Sequence, residues 1–234
     1  MYELPSNLYP WLVGSVVLLL FGFRGYANYR RLHNPLSLLF AVSGFLIGGA
    51  FFFWSVPFFF VDTNGAMIIV SLIGDAMYYA MLSLQLYITY YLVLKEKIVT
   101  SYVIVPAVML GIAGWLSHLY GYIKYGLSVA SGSFEYTLPL LSSVIQLFLL
   151  ANVFLIGVIM LSKIKQQSSA RGKAGILGIS AIYILSALGG MLNILLSGEP
   201  NQSPAIILSY AAGFALFAGL LILARLLSIK RKNG

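Results

Sequence analysis

The chain has 234 residues, of which 60% are hydrophobic and 9% are charged, with a formal net charge of +8. Soluble globular proteins contain about 25% charged residues, so this composition excludes an ordinary soluble domain and indicates one membrane domain over residues 1–234. The chain contains no cysteine, which excludes disulfides, thiolate catalysis and cysteine-bound metal, and its basic residues are too scattered to predict nucleic-acid binding.

Seven apolar runs are each long enough to cross about 30 Å of hydrocarbon as an α-helix. The sequence therefore predicts an all-α bundle of seven transmembrane helices. In chain order the predicted spans are 8–29, 36–56, 66–94, 100–122, 138–162, 174–197 and 204–229. The residues before the first run include no Lys or Arg, so we expect this run to remain as a span and not to act as a cleaved signal peptide.

The basic residues predict the orientation of the bundle. Of the 14 Lys and Arg residues, 13 fall at one end of the seven predicted spans, and Lys124 is the exception. Because positively charged residues are retained on the cytoplasmic side, we expect an outside N-terminus and a cytoplasmic C-terminus. The protein is expected in the cell membrane as a multi-pass protein, where its basic residues can attract anionic lipid headgroups.

The second and seventh spans contain small residues at helical spacing. Gly44 and Gly48 stand in GxxxG spacing, which allows two helix backbones to approach closely. The aromatic run 51–54 follows them, and it is typical of an interfacial belt, with pocket lining as the alternative. Span 7 has a second seam of small residues four apart, namely Ala211, Ala215 and Gly219.

The third span contains Asp75, the only acidic residue well inside a predicted span. An ionisable side chain there is costly unless it faces the bundle interior or a water-filled cavity. One helix face, spaced by four and three residues alternately, carries Ser71, Asp75, Tyr78, Leu82, Gln85 and Thr89. This stripe predicts a ligand contact, an ion site or a proton relay. The alternative is a structural Asp75 that is hydrogen-bonded to a neighbouring helix and neutral at pH 7.

Spans 5 and 6 contain further polar residues, which taken singly are typical of interhelical hydrogen bonds. They are Ser142, Gln146 and Asn152 in span 5, and Tyr183, Ser186, Asn193 and Ser197 in span 6. In combination they predict that helices 3, 5 and 6 converge on one polar pocket near Asp75. The candidate ligand-binding or ion-binding residues are Asp75, Ser71, Tyr78, Gln85, Gln146 and Asn193.

The sequence offers no arrangement typical of catalysis. His33 is predicted in a cytoplasmic loop and His118 near an external helix end, so the two cannot share a metal ion or a haem. A membrane serine protease needs a base beside its serine, and a paired-aspartate protease needs a second interior Asp. We therefore expect no catalytic residue, no metal and no cofactor.

The chain resembles microbial rhodopsins in its span lengths and in having an Asp in the outer half of helix 3. The segment GFALFAGLLILAR, at 213–225, resembles their final helix. Retinal attachment in that family requires a Lys in the middle of helix 7. Span 7 has no Lys before Lys230, and Leu216 stands at about the required position, so we expect no retinal.

The chain also resembles the seven-helix membrane region found N-terminal to some prokaryotic histidine kinases. The resemblance lies in the segment RRLHNPLSLLFAVSGFLIGGA, at 30–50, and in the compact loops. It implies a non-enzymatic sensor or receptor-like protein that binds a small or lipid-like ligand among its helices and signals through a protein partner or a homo-oligomer. The alternatives are an accessory subunit of a larger membrane complex, and a cation or proton channel or transporter that uses Asp75.

Overall fold

A computed structural model of the chain describes residues 8–56, 64–94, 99–126, 128–130, 133–135 and 137–196. The predicted seventh span, 204–229, lies outside the described residues, together with its small-residue seam and Leu216.

Six long helices make up the described part of the chain, each long and apolar enough to cross a membrane. They are α1 (Leu8–Leu32), α2 (Pro35–Ser55), α3 (Asn64–Leu94), α4 (Val99–Tyr125), α5 (Leu140–Ser162) and α6 (Ala170–Leu196). These bounds match the first six predicted spans to within a few residues. A single 3-10 turn, Ile164–Gln166, lies between α5 and α6.

One element departs from the all-helical prediction. Strand β1 (Ser128–Ala130) pairs antiparallel with β2 (Ser133–Glu135), so that a small hairpin stands between α4 and α5. Ala130 pairs with Ser133, which leaves the two residues Ser131 and Gly132 to connect the strands. No strand was predicted between spans 4 and 5.

Local signals explain where two of the helices begin and end. Asn34 caps α2 by accepting a hydrogen bond from the backbone N–H of Leu36, and Pro35 follows at the first helical position. Gly126, in the left-handed region with φ of 76°, ends α4 after Tyr125. As a result α4 is three residues longer than predicted at this end.

Consecutive helices run antiparallel, which gives the bundle two distinct ends. The hairpin end contains the β-hairpin, the start of α1 and the end of α2. The basic end contains Arg30 and Arg31 of α1, together with Lys163 and Lys165 after α5. Helix α5 packs against α3, α4 and α6, and its residues Leu149 and Ile156 are fully buried, so it forms the centre of the described bundle.

Candidate functional site

Three helices converge on the carboxyl group of Asp75, which is 1% exposed. Trp54 of α2 donates its indole N–H to Oδ1 over 2.9 Å. On the other side, Oδ2 lies 3.5 Å from Nδ1 of His118 on α4. The side chain of Tyr122, one turn further along α4, also lies within hydrogen-bonding reach of the carboxyl. The buried acid is thus surrounded by polar side chains from both neighbouring helices.

The close approach of α4 to α3 places His118 beside Asp75. Gly111 faces Ser83 and Gly114 faces Tyr79, and a larger residue at either position would meet those side chains. His118 and Tyr122 are four residues apart and therefore share the same helix face. The imidazole stacks on the Tyr122 ring, with centroids 4.9 Å apart and an interplanar angle of 22°.

The partner of His118 was not predicted. This residue was predicted near a helix end, and it lies about two turns from the end of α4, where it is 5% exposed and contacts Asp75. The sequence did contain a usable signal, a face of small and polar residues: Gly111, Gly114, His118 and Tyr122.

The interfacial-belt interpretation of the aromatic run 51–54 was wrong for Trp54. This residue is half-buried, donates to Asp75 and lines an internal cavity together with Phe51. Phe52, on another face of α2, is 48% exposed and fits the original interpretation. The sequence alone could not separate these neighbours, because α2 is apolar on every face and shows no preferred buried side.

A second polar network joins α3 to α5 next to the Asp75 cluster. Gln146 donates its amide N–H to the hydroxyl oxygen of Tyr79 over 2.7 Å, and this oxygen lies 2.7 Å from Oγ of Ser142. The Tyr79 ring also meets the His118 ring edge-on, with centroids 6.2 Å apart. The polar residues of α5 therefore act partly as the interhelical contacts that the sequence predicted.

The part of the α3 stripe nearer the basic end is joined to α5 and α6 by hydrogen bonds. Thr89 donates to the carbonyl of Gln85 over 2.9 Å and lies 3.1 Å from that of Asn152. The Gln85 side chain hydrogen-bonds with Tyr183 of α6. Three helices are thus joined by side-chain contacts nearer the basic end.

An elongated cavity of about 650 Å³ extends from the Asp75 cluster into the bundle. Its lining on α3 extends from Ser71 to Gln85, about 21 Å at 1.5 Å per residue. All six candidate residues from the sequence line this one cavity, namely Asp75, Ser71, Tyr78, Gln85, Gln146 and Asn193. Helices α1, α2 and α4 also contribute lining residues, which the predicted convergence of helices 3, 5 and 6 did not include.

The two ends of the cavity differ in chemistry. Asp75, His118 and Tyr122 line it near the hairpin end, where Trp54 is surrounded by other aromatic rings. The centroid of its ring lies 5.3 Å from Tyr78, 5.6 Å from Phe51 and 6.0 Å from Trp11. Further in, the lining is mostly aliphatic and aromatic, and includes Phe21, Ile47, Leu150, Val153 and Ile179. The cavity is thus largely apolar beyond Asp75, with the uncharged polar side chains of Gln85 and Tyr183 toward its other end.

The described residues contain no group of three His, Asp or Glu side chains that could hold a metal ion. Comparison of the chain with protein-family models, with curated proteins and with solved structures found no match.

Proposed function

We propose that the protein is a non-enzymatic, sensor-like or receptor-like multi-pass protein of the cell membrane that binds a small, lipid-like ligand in the cavity beside Asp75. The observation that carries this proposal is the cavity itself. Its volume of about 650 Å³ is within the range of sites that enclose a small organic molecule. A mostly apolar lining with a few convergent polar groups is also what such sites have in common.

The proposed protein has seven spans, an outside N-terminus and a cytoplasmic C-terminus, and passes its signal to a protein partner or to a second copy of itself. The distribution of basic residues supports this orientation. Single cysteines can test it without background, because the chain has none of its own. A cysteine at Ser133 should react with a membrane-impermeant reagent added outside intact cells, and one at Ser168 only after lysis. The reverse pattern would contradict the orientation.

The cavity can be filled by one substitution on α6. Gly189 lines the cavity, and a Cβ atom there would meet no described atom within 4 Å. Gly178, on the same helix and outside the lining, is equally open among the described residues. We expect Gly189→Phe to lower the amount of small molecule that co-purifies with the protein by about tenfold, and Gly178→Phe to leave it unchanged.

The measurement is mass spectrometry of organic extracts from protein purified in a mild detergent, with bulk lipid as the reference. Both variants should unfold within a few degrees of the parent. A parent protein that carries nothing beyond bulk lipid, or equal loss in the two variants, would contradict the proposal. A stoichiometric protein subunit in place of a small molecule would favour the accessory-subunit alternative.

The contact between Asp75 and His118 favours a second candidate, a proton or cation transporter. Both side chains can exchange protons, and together they line the same cavity. If this second candidate is right, the protein reconstituted in liposomes should carry a proton or cation flux, and Asp75→Asn should abolish that flux. A sealed liposome with no flux above the protein-free background would exclude it and leave the ligand-binding proposal in place.

A further inference from the structure

The charges around the cavity restrict the ligands that it can accept. Among its described lining residues, Asp75 is the one carboxylate and there is no Lys or Arg. A fatty acid or a phosphate headgroup would therefore enter beside an acid without an ammonium or guanidinium partner. Moving such an anion out of water costs several kcal/mol when no counter-charge is present. The cavity is therefore better suited to neutral and cationic ligands than to anionic ones.

The Asp75 carboxyl has acceptor capacity that its protein contacts do not use. A carboxylate has about four lone-pair sites. Trp54 donates one bond to Oδ1 and Tyr122 lies within hydrogen-bonding reach of the carboxyl, while the distance from Oδ2 to His118 is 3.5 Å, longer than a well-formed hydrogen bond. The oxygen is also fully buried, so that bulk water does not satisfy it. An ionised carboxylate in this position is stabilised by a cation that comes close to it.

Aromatic rings surround the same position. Trp11, Trp54, Tyr78 and Tyr122 all line the cavity near the carboxyl. The faces of Trp and Tyr rings attract ammonium groups, and sites that recognise quaternary ammonium ions combine several such rings. A carboxylate together with aromatic faces is a better match for an ammonium group than for a hydroxyl group, which gains little from the rings.

From these contacts we infer that the ligand is a cationic amphiphile, with an ammonium group beside Asp75 and a hydrocarbon chain extending toward Leu150 and Val153. This inference rests on the proposed function and specifies its ligand class. The geometry of the cavity agrees with it, since the carboxylate lies toward one end and the lining beyond it is largely apolar, with the uncharged Gln85 and Tyr183 toward the other end. The hydrocarbon chain of the ligand then packs against the apolar lining, and its head group places a positive charge beside Asp75.

Three probes of equal chain length test the inference: octyltrimethylammonium, octanol and octanoate. Binding can be followed by tryptophan fluorescence in a Trp115→Phe protein, in which the remaining two tryptophans, Trp11 and Trp54, both line the cavity. We expect the ammonium probe to bind at least about tenfold more tightly than octanol, and octanoate to bind most weakly.

Asp75→Asn keeps the size of the side chain and removes its charge. It should weaken binding of the ammonium probe by about tenfold and leave octanol binding within about twofold, while Asp75→Glu should retain the preference for the cation. Octanoate binding as tightly as the ammonium probe, or a cation preference that survives in Asp75→Asn, would overturn the inference alone. Failure of all three probes to bind would overturn the proposed function as well.

Discussion

The interface between α1 and α2 and the part of the α3–α4 interface around Asp75 are built differently, although Gly111 and Gly114 also bring α4 close to α3. The first is a seam of glycines, in which Gly44 of α2 lies against the backbone of Gly22 in α1. Across this interface the hydroxyl of Ser15 donates a hydrogen bond to the carbonyl of Gly48 over 2.8 Å. The second encloses polar side chains, with Asp75 facing His118 and the indole of Trp115 donating to the carbonyl of Leu72 over 3.0 Å.

This difference separates positions where the shape of the side chain matters most from positions where its chemistry does. In a glycine seam the energy comes from close backbone contact, so the shape of the residue decides stability and chemistry matters little. Around Asp75 the space is already occupied by large polar residues and a cavity, so chemistry matters more than volume. We therefore expect size changes to break the first interface and charge changes to alter the second.

The largest effect is expected in the glycine seam. A Cβ atom at Gly44 would lie 2.8 Å from the backbone nitrogen and 2.9 Å from Cα of Gly22, and neither backbone can move aside without separating the helices. Gly44→Leu should lower the free energy of unfolding by about 3 kcal/mol or more. Thermal unfolding in detergent measures this, with Gly175→Leu as the control, since a Cβ there meets no described atom within 4 Å. Equal losses of stability in the two variants would contradict the prediction that the glycine seam stabilises the α1–α2 interface.

A smaller effect is expected at Asp75, where substitution by Leu should cost more stability than substitution by Asn. Asp75→Leu removes the acceptor for the indole of Trp54 and should cost about 2 kcal/mol, since a buried donor is left unsatisfied. Asp75→Asn retains an acceptor oxygen and should cost about 1 kcal/mol. Chemical unfolding of both variants checks the order of the two stability losses.

If Asp75 has only a structural role, Asp75→Asn should leave ligand binding and ion flux intact, whereas a functional carboxylate predicts their loss in a folded protein.

The smallest effect is expected at Tyr79, whose hydroxyl joins two residues of α5. Tyr79→Phe keeps the ring that packs beside His118 and removes the contacts with Gln146 and Ser142. It should cost about 1 kcal/mol. Tyr120→Phe is the matched control, because Tyr120 is on the exposed face of α4 and should change stability by less than half as much. A Tyr79→Phe protein as stable as the parent would show that the α3–α5 network contributes little.

The sequence was sufficient to predict the six described helices and the stripe around Asp75. Helical spacing placed Ser71, Asp75 and Gln85 on one face of α3, and the structure buries all three along one cavity. The partners of Asp75 on other helices were not predicted, because spacing within a helix contains no information on which neighbour faces it. His118 was predicted near a helix end, and its contact with Asp75 was not predicted. Trp54 was one of four consecutive aromatic residues, and pattern alone could not select it.

The sequence by itself determined the apolar helices and the face of α3 that avoids lipid, since burial of polar groups in hydrocarbon is costly whatever the helix packs against. The distribution of basic residues likewise predicts the orientation without knowledge of any contact. Tertiary structure alone decided that His118, Trp54 and Tyr122 meet at Asp75 and that a cavity remains beside them. These features depend on how closely α4 and α2 approach α3, and that distance follows from the packing of small and large side chains between helices that are far apart in the chain.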